Sequence, residues 1–373
     1  MTEQRTSAGR RPRYHSLFWP VVLIGVGVVW LLANLGVIPA ANLGILLSLW
    51  PLLLVFIGLD IIFGRRWPAI STLIGLLMIA LVIWLLIMGP SLGLKTSDSF
   101  FGLPIVWNNM ESRTERFSEP LGDATSATIN LHLSRWPANV MPASDPAALI
   151  DARVTYFGGM TFDVSGSGKQ KTVTLGQNWS QTVVFGAWRW DDRSRWDIGL
   201  SPKVPLTLNV NAGSGAASLD LAQLTLSGLT LDGGSGLLSV NLPAGPDRYS
   251  VRADLGSGMA TMTLADAATA DLDIDGGSGL FTLSIGKQAA VRANLRTGSG
   301  MTTITLPAGS ATRFEVLNGG SGLLTVASEL QLVSRGRERN TGVWETAGFA
   351  GAERQVAITV RDMGSGALAV RMR

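Results

Sequence analysis

The 373-residue chain carries 30 Lys and Arg against 27 Asp and Glu, a formal net charge of +3, and has 44 Gly, two His and no Cys. The absence of Cys excludes disulfides, thiolate nucleophiles and Cys-based zinc sites, and His15 and His132 lie too far apart in sequence to supply an imidazole cluster. Four of the Arg residues (Arg5, Arg10, Arg11, Arg13) sit at the N-terminus, so the small excess of charge leaves no broad basic surface for nucleic acid.

Residues 1–16 read as a basic tail. Leu17 to Ile38 follows without an ionisable side chain, long enough for a helix to cross roughly 30 Å of hydrocarbon. Leu43 to Phe63 is interrupted only by Asp60, and Trp67 to Leu94 is a third uncharged run that Gly89 and Pro90 bring to an end. These runs predict three transmembrane helices within residues 17–94. The first run is too long, and Asn34-Leu35-Gly36 too poor a cleavage site, for a signal peptide. Basic residues gather on the cytoplasmic side. The Arg-rich tail and Arg65/Arg66 therefore place the N-terminus in the cytoplasm, and everything after Lys95 outside a plasma membrane crossed several times. Each span carries Trp-Pro and a later Gly: Trp19-Pro20 with Gly27, Trp50-Pro51 with Gly58, and Trp67-Pro68 with Gly75. Pro suits a first helical turn, Trp the headgroup belt, and Gly a close helix contact. Asp60 reads as a rim ion pair with Arg65 and Arg66, with an intramembrane proton relay as the alternative.

Residues 95–119 form a polar connector. Beyond it, alternation of apolar and polar residues, as in Ala127 to Leu133 and Val204 to Val210, predicts strands and an all-β outer domain. Within 120–200 stands one aromatic-rich patch, Trp179, Trp188, Trp190 and Trp196, mixed with Asp191, Asp192, Arg193 and Arg195. It has two readings: a hairpin whose Trp side chains cap an open edge, or a contact surface for envelope glycan, where paired carboxylates could even hydrolyse a sugar bond.

Gly-Ser-Gly recurs with its Ser at 167, 214, 235, 257, 278, 299, 321 and 365. From Ser214 to Ser321 the steps are 21 or 22 residues, and the last step, 44, reads as two with the middle corner lost. A fixed period in the twenties marks a solenoid. Positions three, five and seven after the Ser are apolar in successive copies, Thr302 excepted, and Ser, Thr and Asn stand between them. Residues 201–373 are therefore predicted to form a parallel β-solenoid with coils of 21 to 22 residues, each a strand, a Gly-Ser-Gly corner, a second strand and a return loop. Gln355 to Val360 and Ala367 to Val370 would close the stack, and Arg335 to Asn340 would be a solvated loop.

A phosphate loop needs glycines between a strand and a helix. Here a strand follows each corner, so the glycines serve the turn. Three residues before the Ser stand Asn211, Asp232, Asp254, Asp275, Arg296, Asn318 and Asp362. This column fits Asx turns or, as the alternative, calcium along the stack, though the further Asp of a calcium-binding nonapeptide is missing. No catalytic residue, metal site or cofactor is assigned. Two residues after the Ser, Leu237, Met259, Leu280, Met301 and Leu323 point away from the core by parity. They predict an outer apolar ridge, covered either by the segment before Ser201 or by a partner.

The Trp-Pro membrane repeats resemble the Lia-type transmembrane region of bacterial cell-wall-active antibiotic response proteins. LGDATSATINLHLS and the stretch from Trp196 to Gly236 are similar to the N-terminal part of the toast-rack domain, and the later coils resemble an adhesin-type β-solenoid. The resemblance implies a bacterial envelope protein, in some relatives a regulator of stress signalling through a membrane sensor kinase. Together these readings give a non-enzymatic, membrane-anchored protein for envelope sensing or scaffolding. Its partners would be the lipid bilayer, a membrane sensor protein or a second copy, and the alternative is a glycan-binding or adhesive module.

Overall fold

The computed structural model describes residues 18–35, 37, 50–59, 68–88, 99–100, 103–106, 112–133, 135–156, 159–166, 168–178, 183–184, 195–245 and 247–373. They fall into two compact units, one of residues 1–110 with 180–190, the other of residues 111–179 with 191–373. The basic tail, Asp60, Arg65 and Arg66 lie outside the described residues.

The first unit contains α1 (Phe18–Asn34), α2 (Trp50–Leu59) and α3 (Pro68–Met88). Pro20, Pro51 and Pro68 each sit in a first turn, where the missing N–H has no intrahelical partner to lose. α1 and α2 both pack on α3. Phe56 and Met78 are buried with Val22, Ile57, Ile74 and Leu81 around them, and Leu86 is enclosed by Val29, Leu32 and Val82. The outward face is equally apolar, with Leu23, Ile24, Leu31, Leu73, Leu77 and Trp84 exposed. The glycine that brings α1 close to α3 is Gly25, where a Cβ would lie 2.5 Å from Ile79. This departs from the motif reading at Gly27 and Gly58, where a Cβ would have nothing within 4 Å among the described residues. Among the described residues no helix is long and apolar enough to cross a membrane. α1 and α2, with 17 and 10 residues, fall short of the roughly 20 required, and α3 has described side chains only from Thr72 onward. The unit also holds β1 (Ser99–Phe100), antiparallel to β2 (Leu103–Val106), and a short strand Val183–Val184 parallel to β2.

The second unit begins with β3 (Arg113–Pro120), β4 (Ser126–His132), β5 (Ala138–Pro142), β6 (Ala148–Tyr156), β7 (Gly159–Ser165) and β8 (Gln170–Asn178). With Val183–Val184 counted as β9, β10 is Trp196–Leu200. Coils then follow as strand pairs: β11 (Leu206–Asn211) with β12 (Ala216–Asp220), β13 (Leu226–Asp232) with β14 (Leu237–Leu242), and β15 (Tyr249–Asp254) with β16 (Met259–Leu264). Next come β17 (Thr269–Asp275) with β18 (Leu280–Ser284) and β19 (Ala290–Arg296) with β20 (Met301–Leu306). β21 (Thr312–Val316) with β22 (Leu323–Thr325) is a shorter coil, β23 (Gln331–Arg335) and β24 (Gly342–Glu345) form a hairpin, and β25 (Val356–Asp362) with β26 (Ala367–Met372) ends the chain.

These strands build two long sheets. The first has the order β22-β26-β20-β18-β16-β14-β12-β5-β10-β6-β3, the second β23-β24-β21-β25-β19-β17-β15-β13-β11-β4-β8-β7. Successive coils pair in parallel and in register, as in Leu238↔Ala260 and Leu229↔Val251. Parity therefore sends the same column of each coil inward. Every predicted inward position is buried, from Ala217, Leu219 and Leu221 to Ile304 and Leu306, and Thr302 joins them at 1% exposure. The inward side chains of both sheets form one apolar cluster from Ala127 to Val370. That core runs on without a break through residue 200, where the repeat predicts the solenoid to begin, since β10 and β12 both pair with β5. Nor is all of 95–119 a connector, because β3 is the edge strand beside β6. Gly166 and Gly168 belong to the turn of the antiparallel β7–β8 hairpin, so the copy around Ser167 is no solenoid corner.

The periodic corners need both of their glycines. The first, at Gly213, Gly234, Gly256, Gly277 and Gly298, has φ between 57° and 62°, a region costly for other residues. At the second, a Cβ on Gly236, Gly258, Gly279 or Gly300 would fall inside the carbonyl oxygen of the preceding corner. That approach permits a hydrogen-bond ladder from corner to corner, with Leu237 N–H donating to Gly215 O, Met259 N–H to Gly236 O, and Leu280 N–H to Gly258 O.

The end of the chain departs from the sequence expectation. β25 lies between β19 and β21, and β26 between β20 and β22. The corner at Ser365 is thus inserted between those at Ser299 and Ser321: Ala367 N–H donates to Gly300 O, and Leu323 N–H to Gly366 O. The last 44-residue step is a return, not a lost corner, and the final strands do not close the stack. The closing element is the β23–β24 hairpin, whose turn supplies Asn340 Nδ2 to Gly322 O at 3.0 Å.

Candidate functional site

The corner line places one column of outward side chains at the start of every first-sheet strand. Register carries it from Ala216 to Leu237, Met259, Leu280, Met301, Ala367 and Leu323. At about 4.8 Å per rung, six steps span roughly 29 Å. The five large members are 46% to 63% exposed, and among the described residues nothing covers them. Ala367, brought in by the inserted coil, makes a notch between Met301 and Leu323. Beside the ridge runs an open groove of about 870 Å³, lined by Ser257, Ser278, Ser299, Ser321 and the corner glycines, with Arg339 as its cation. Further along the same strands a hydroxyl column follows, Ser218, Ser239, Thr261, Thr282 and Thr303. No acid or imidazole lines the groove among the described residues, so its serine hydroxyls lack a neighbouring base there.

The Asx column is engaged in the backbone. Asn211, Asp254, Asp275, Asn318 and Asp362 each accept through Oδ1 from the N–H two residues on, at 3.0 to 3.2 Å. Asn211 Nδ2 also donates to Asp232 at 2.9 Å. These are the Asx turns expected of the sequence, and among the described residues no three His, Asp or Glu side chains gather as a metal site would need. Arg296 interrupts the column, and the next residue, Thr297, donates its Oγ1 hydrogen to Met363 O of the neighbouring rung at 3.0 Å.

Of the Trp residues in the aromatic patch, Trp196 alone lies among the described residues. Trp196 is 1% exposed at the start of β10, its strand alternating with Ile198 and Leu200 inward and Asp197 and Gly199 outward. Its ring therefore belongs to the core and cannot meet a glycan. Asp197 instead takes bonds from Arg195 and from Asn139 Nδ2, both at 2.9 Å. Trp179, Trp188, Trp190, Asp191 and Asp192 lie outside the described residues.

Charge at the N-terminal end of the stack serves the edge strand. Arg116 on β3 holds Asp151 on β6 through two bonds of 2.6 and 2.8 Å, which push the Asp151 carboxyl below its ordinary range. Lys171 reaches Glu119 at 2.6 Å. In mid-stack the phenol of Tyr249 is buried and donates to Pro243 O at 2.9 Å, and its burial raises its pKa.

Residues 108–265 match the N-terminal domain of toast_rack, DUF2154, and residues 17–62 match the LiaI-LiaF-like transmembrane region. The chain thus carries a region similar to the toast-rack N-terminal domain and another similar to the LiaI-LiaF-like transmembrane region. The toast-rack match runs past residue 200 to the strand that follows the Ser257 corner, in keeping with the unbroken core. A solved structure of a candidate cell adhesion protein from Clostridium sporogenes shares 15% identity and a TM-score of 0.38 with this chain, over 70% of this chain and 100% of that one. No curated protein matches.

Proposed function

We propose that this chain is a non-enzymatic, membrane-anchored protein of the bacterial envelope. Its solenoid stands outside the plasma membrane as a sensing or scaffolding surface that works by contact with a membrane partner. The observation that carries this reading is the exposed ridge of Leu237, Met259, Leu280, Met301 and Leu323, in register on a domain joined to a LiaI-LiaF-like region. The inward columns already supply the core, so folding does not require these outer positions to be apolar. A row of large apolar side chains on a monomer's surface marks an interaction site.

The test is a triple variant, Leu237→Ser, Met259→Ser and Leu280→Ser, in the full chain. The expected result is an unchanged melting temperature, loss of the membrane protein captured by cross-linking in native membranes, and loss of the envelope-stress response restored by the parent chain. Capture and response equal to those of the parent would overturn the reading.

A further inference from the structure

Register makes Val291 of β19 and Thr312 of β21 equivalent partners of Val356 on β25, as it does Ala293 and Phe314 of Ile358, and Leu295 and Val316 of Val360. In the other sheet Met301 and Leu323 both partner Ala367, and Thr302 and Leu324 both partner Leu368. The offsets between these equivalent residues, 21 for Val291 to Thr312 and 22 for Met301 to Leu323, are those that successive coils use elsewhere, as in Leu280↔Met301 and Leu237↔Met259. The 312–325 coil therefore carries the spacing, the apolar columns and the Gly-Ser-Gly corner needed to stack directly on the 290–306 coil. The structure nevertheless holds a coil from the chain's end between them.

We propose that the C-terminal coil, residues 356–373, is a late-inserting rung, and that the protein has a second stacking order in which β21 and β22 sit directly on β19 and β20. A chain emerging N-terminus first at roughly 5–20 residues per second delivers the 312–325 coil seconds before the 356–373 coil. Sheets built from non-local parallel pairings form in roughly milliseconds to seconds, within the delay before the later coil arrives, so the direct order forms first. Insertion then opens one parallel interface in each sheet and makes two. It buries Val356, Ile358, Val360, Leu368 and Val370, which the direct order leaves without a core, so the inserted order is the stable one. Thr346 Oγ1, donating to Ser310 O at 3.1 Å, and Arg354, donating to Gln288 O at 2.7 Å, moor the segment that carries the coil back. The two orders differ on the outer face. Met301 and Leu323 are neighbours in one and separated by Ala367 in the other.

Because the chain lacks Cys, paired substitutions at the exposed corner serines report the order directly. Residues one rung apart, about 4.8 Å, lie within disulfide reach, whereas two rungs, about 9.6 Å, exceed it. The full chain would be synthesised cell-free into lipid nanodiscs, with thiol oxidant present throughout or added after completion. Ser299→Cys with Ser321→Cys is expected to cross-link when oxidant is present throughout, at least about tenfold above Ser257→Cys with Ser299→Cys, a pair two rungs apart in both orders. Ser299→Cys with Ser365→Cys is expected to cross-link when oxidant is added afterwards. Ser278→Cys with Ser299→Cys, adjacent in both orders, shows that oxidation has worked. A 299/321 yield no higher than that of the 257/299 pair, with the 278/299 pair cross-linked, would overturn the proposal.

Discussion

At the scale of single residues, the same strand carries side chains with opposite duties. Leu283 is fully buried and Leu280, three positions earlier, is 46% exposed. Leu283→Ala should cost about 2–5 kcal/mol by leaving a cavity in the stack, while Leu280→Ser should change denaturant stability by less than about 0.5 kcal/mol. Chemical denaturation of the full chain in detergent would read both. The glycines divide in a similar way. Gly309 has φ 77° and nothing within 4 Å of a Cβ, so Gly309→Ala should cost only the left-handed strain of about 1–2 kcal/mol. Gly279→Ala should cost more, because its methyl group must displace the Gly258 carbonyl and the ladder bond that carbonyl accepts from Leu280. Tyr249 supplies a pH test. Its folded pKa is raised by burial above the unfolded value of about 10. Its contribution is therefore fully present below pH 10 and is lost at higher pH, where only the unfolded chain ionises easily. Tyr249→Phe should flatten that alkaline loss while costing about 1 kcal/mol at neutral pH for the bond to Pro243. Thermal unfolding between pH 8 and 11 would separate the two effects.

At the scale of elements, period and parity in the sequence were enough for the coils, because register fixes each inward column once the corner is located. Leu229, Leu231, Leu272 and Ile274 are buried as that alternation requires. The inserted coil was not legible. A period reports that coils stack, whereas their order in space depends on where the chain returns, and residues 326–355 carry no copy of the repeat to mark it. The ridge was legible by parity, but the inward turn of Trp196 was not. Composition gathers Trp196 with Asp191 and Arg195, while the β10 alternation turns its ring inward. The edge strand offers its own test. Arg116 lowers the folded pKa of Asp151, so the pair's stabilisation is present above the unfolded pKa of about 4 and is lost as pH falls through the folded value. In Asp151→Asn the acid-side fall in melting temperature, measured from pH 6 to pH 2, should be shallower. Arg116 is largely exposed, which keeps the effect small.

At the scale of the whole molecule, one core shared by every coil means that stability is passed from rung to neighbouring rung. Hydrogen exchange should therefore be slowest in mid-stack, in β15 to β20, and faster at the outermost strands β7 and β23. Uniform protection along the stack would contradict this.

Three of the four outermost strands, β3, β7 and β23, run antiparallel to the strand they flank. The fourth, β22, is three residues long. A foreign coil approaching either end would have to add one strand to each sheet at once, both in parallel. At the hairpin end only β22 offers that geometry, and at the other end neither β3 nor β7 does. The rack is thus a fibre-like lattice with its growing tips spoiled, which lets a repetitive and glycine-rich sequence stay a particle of fixed length instead of seeding a filament.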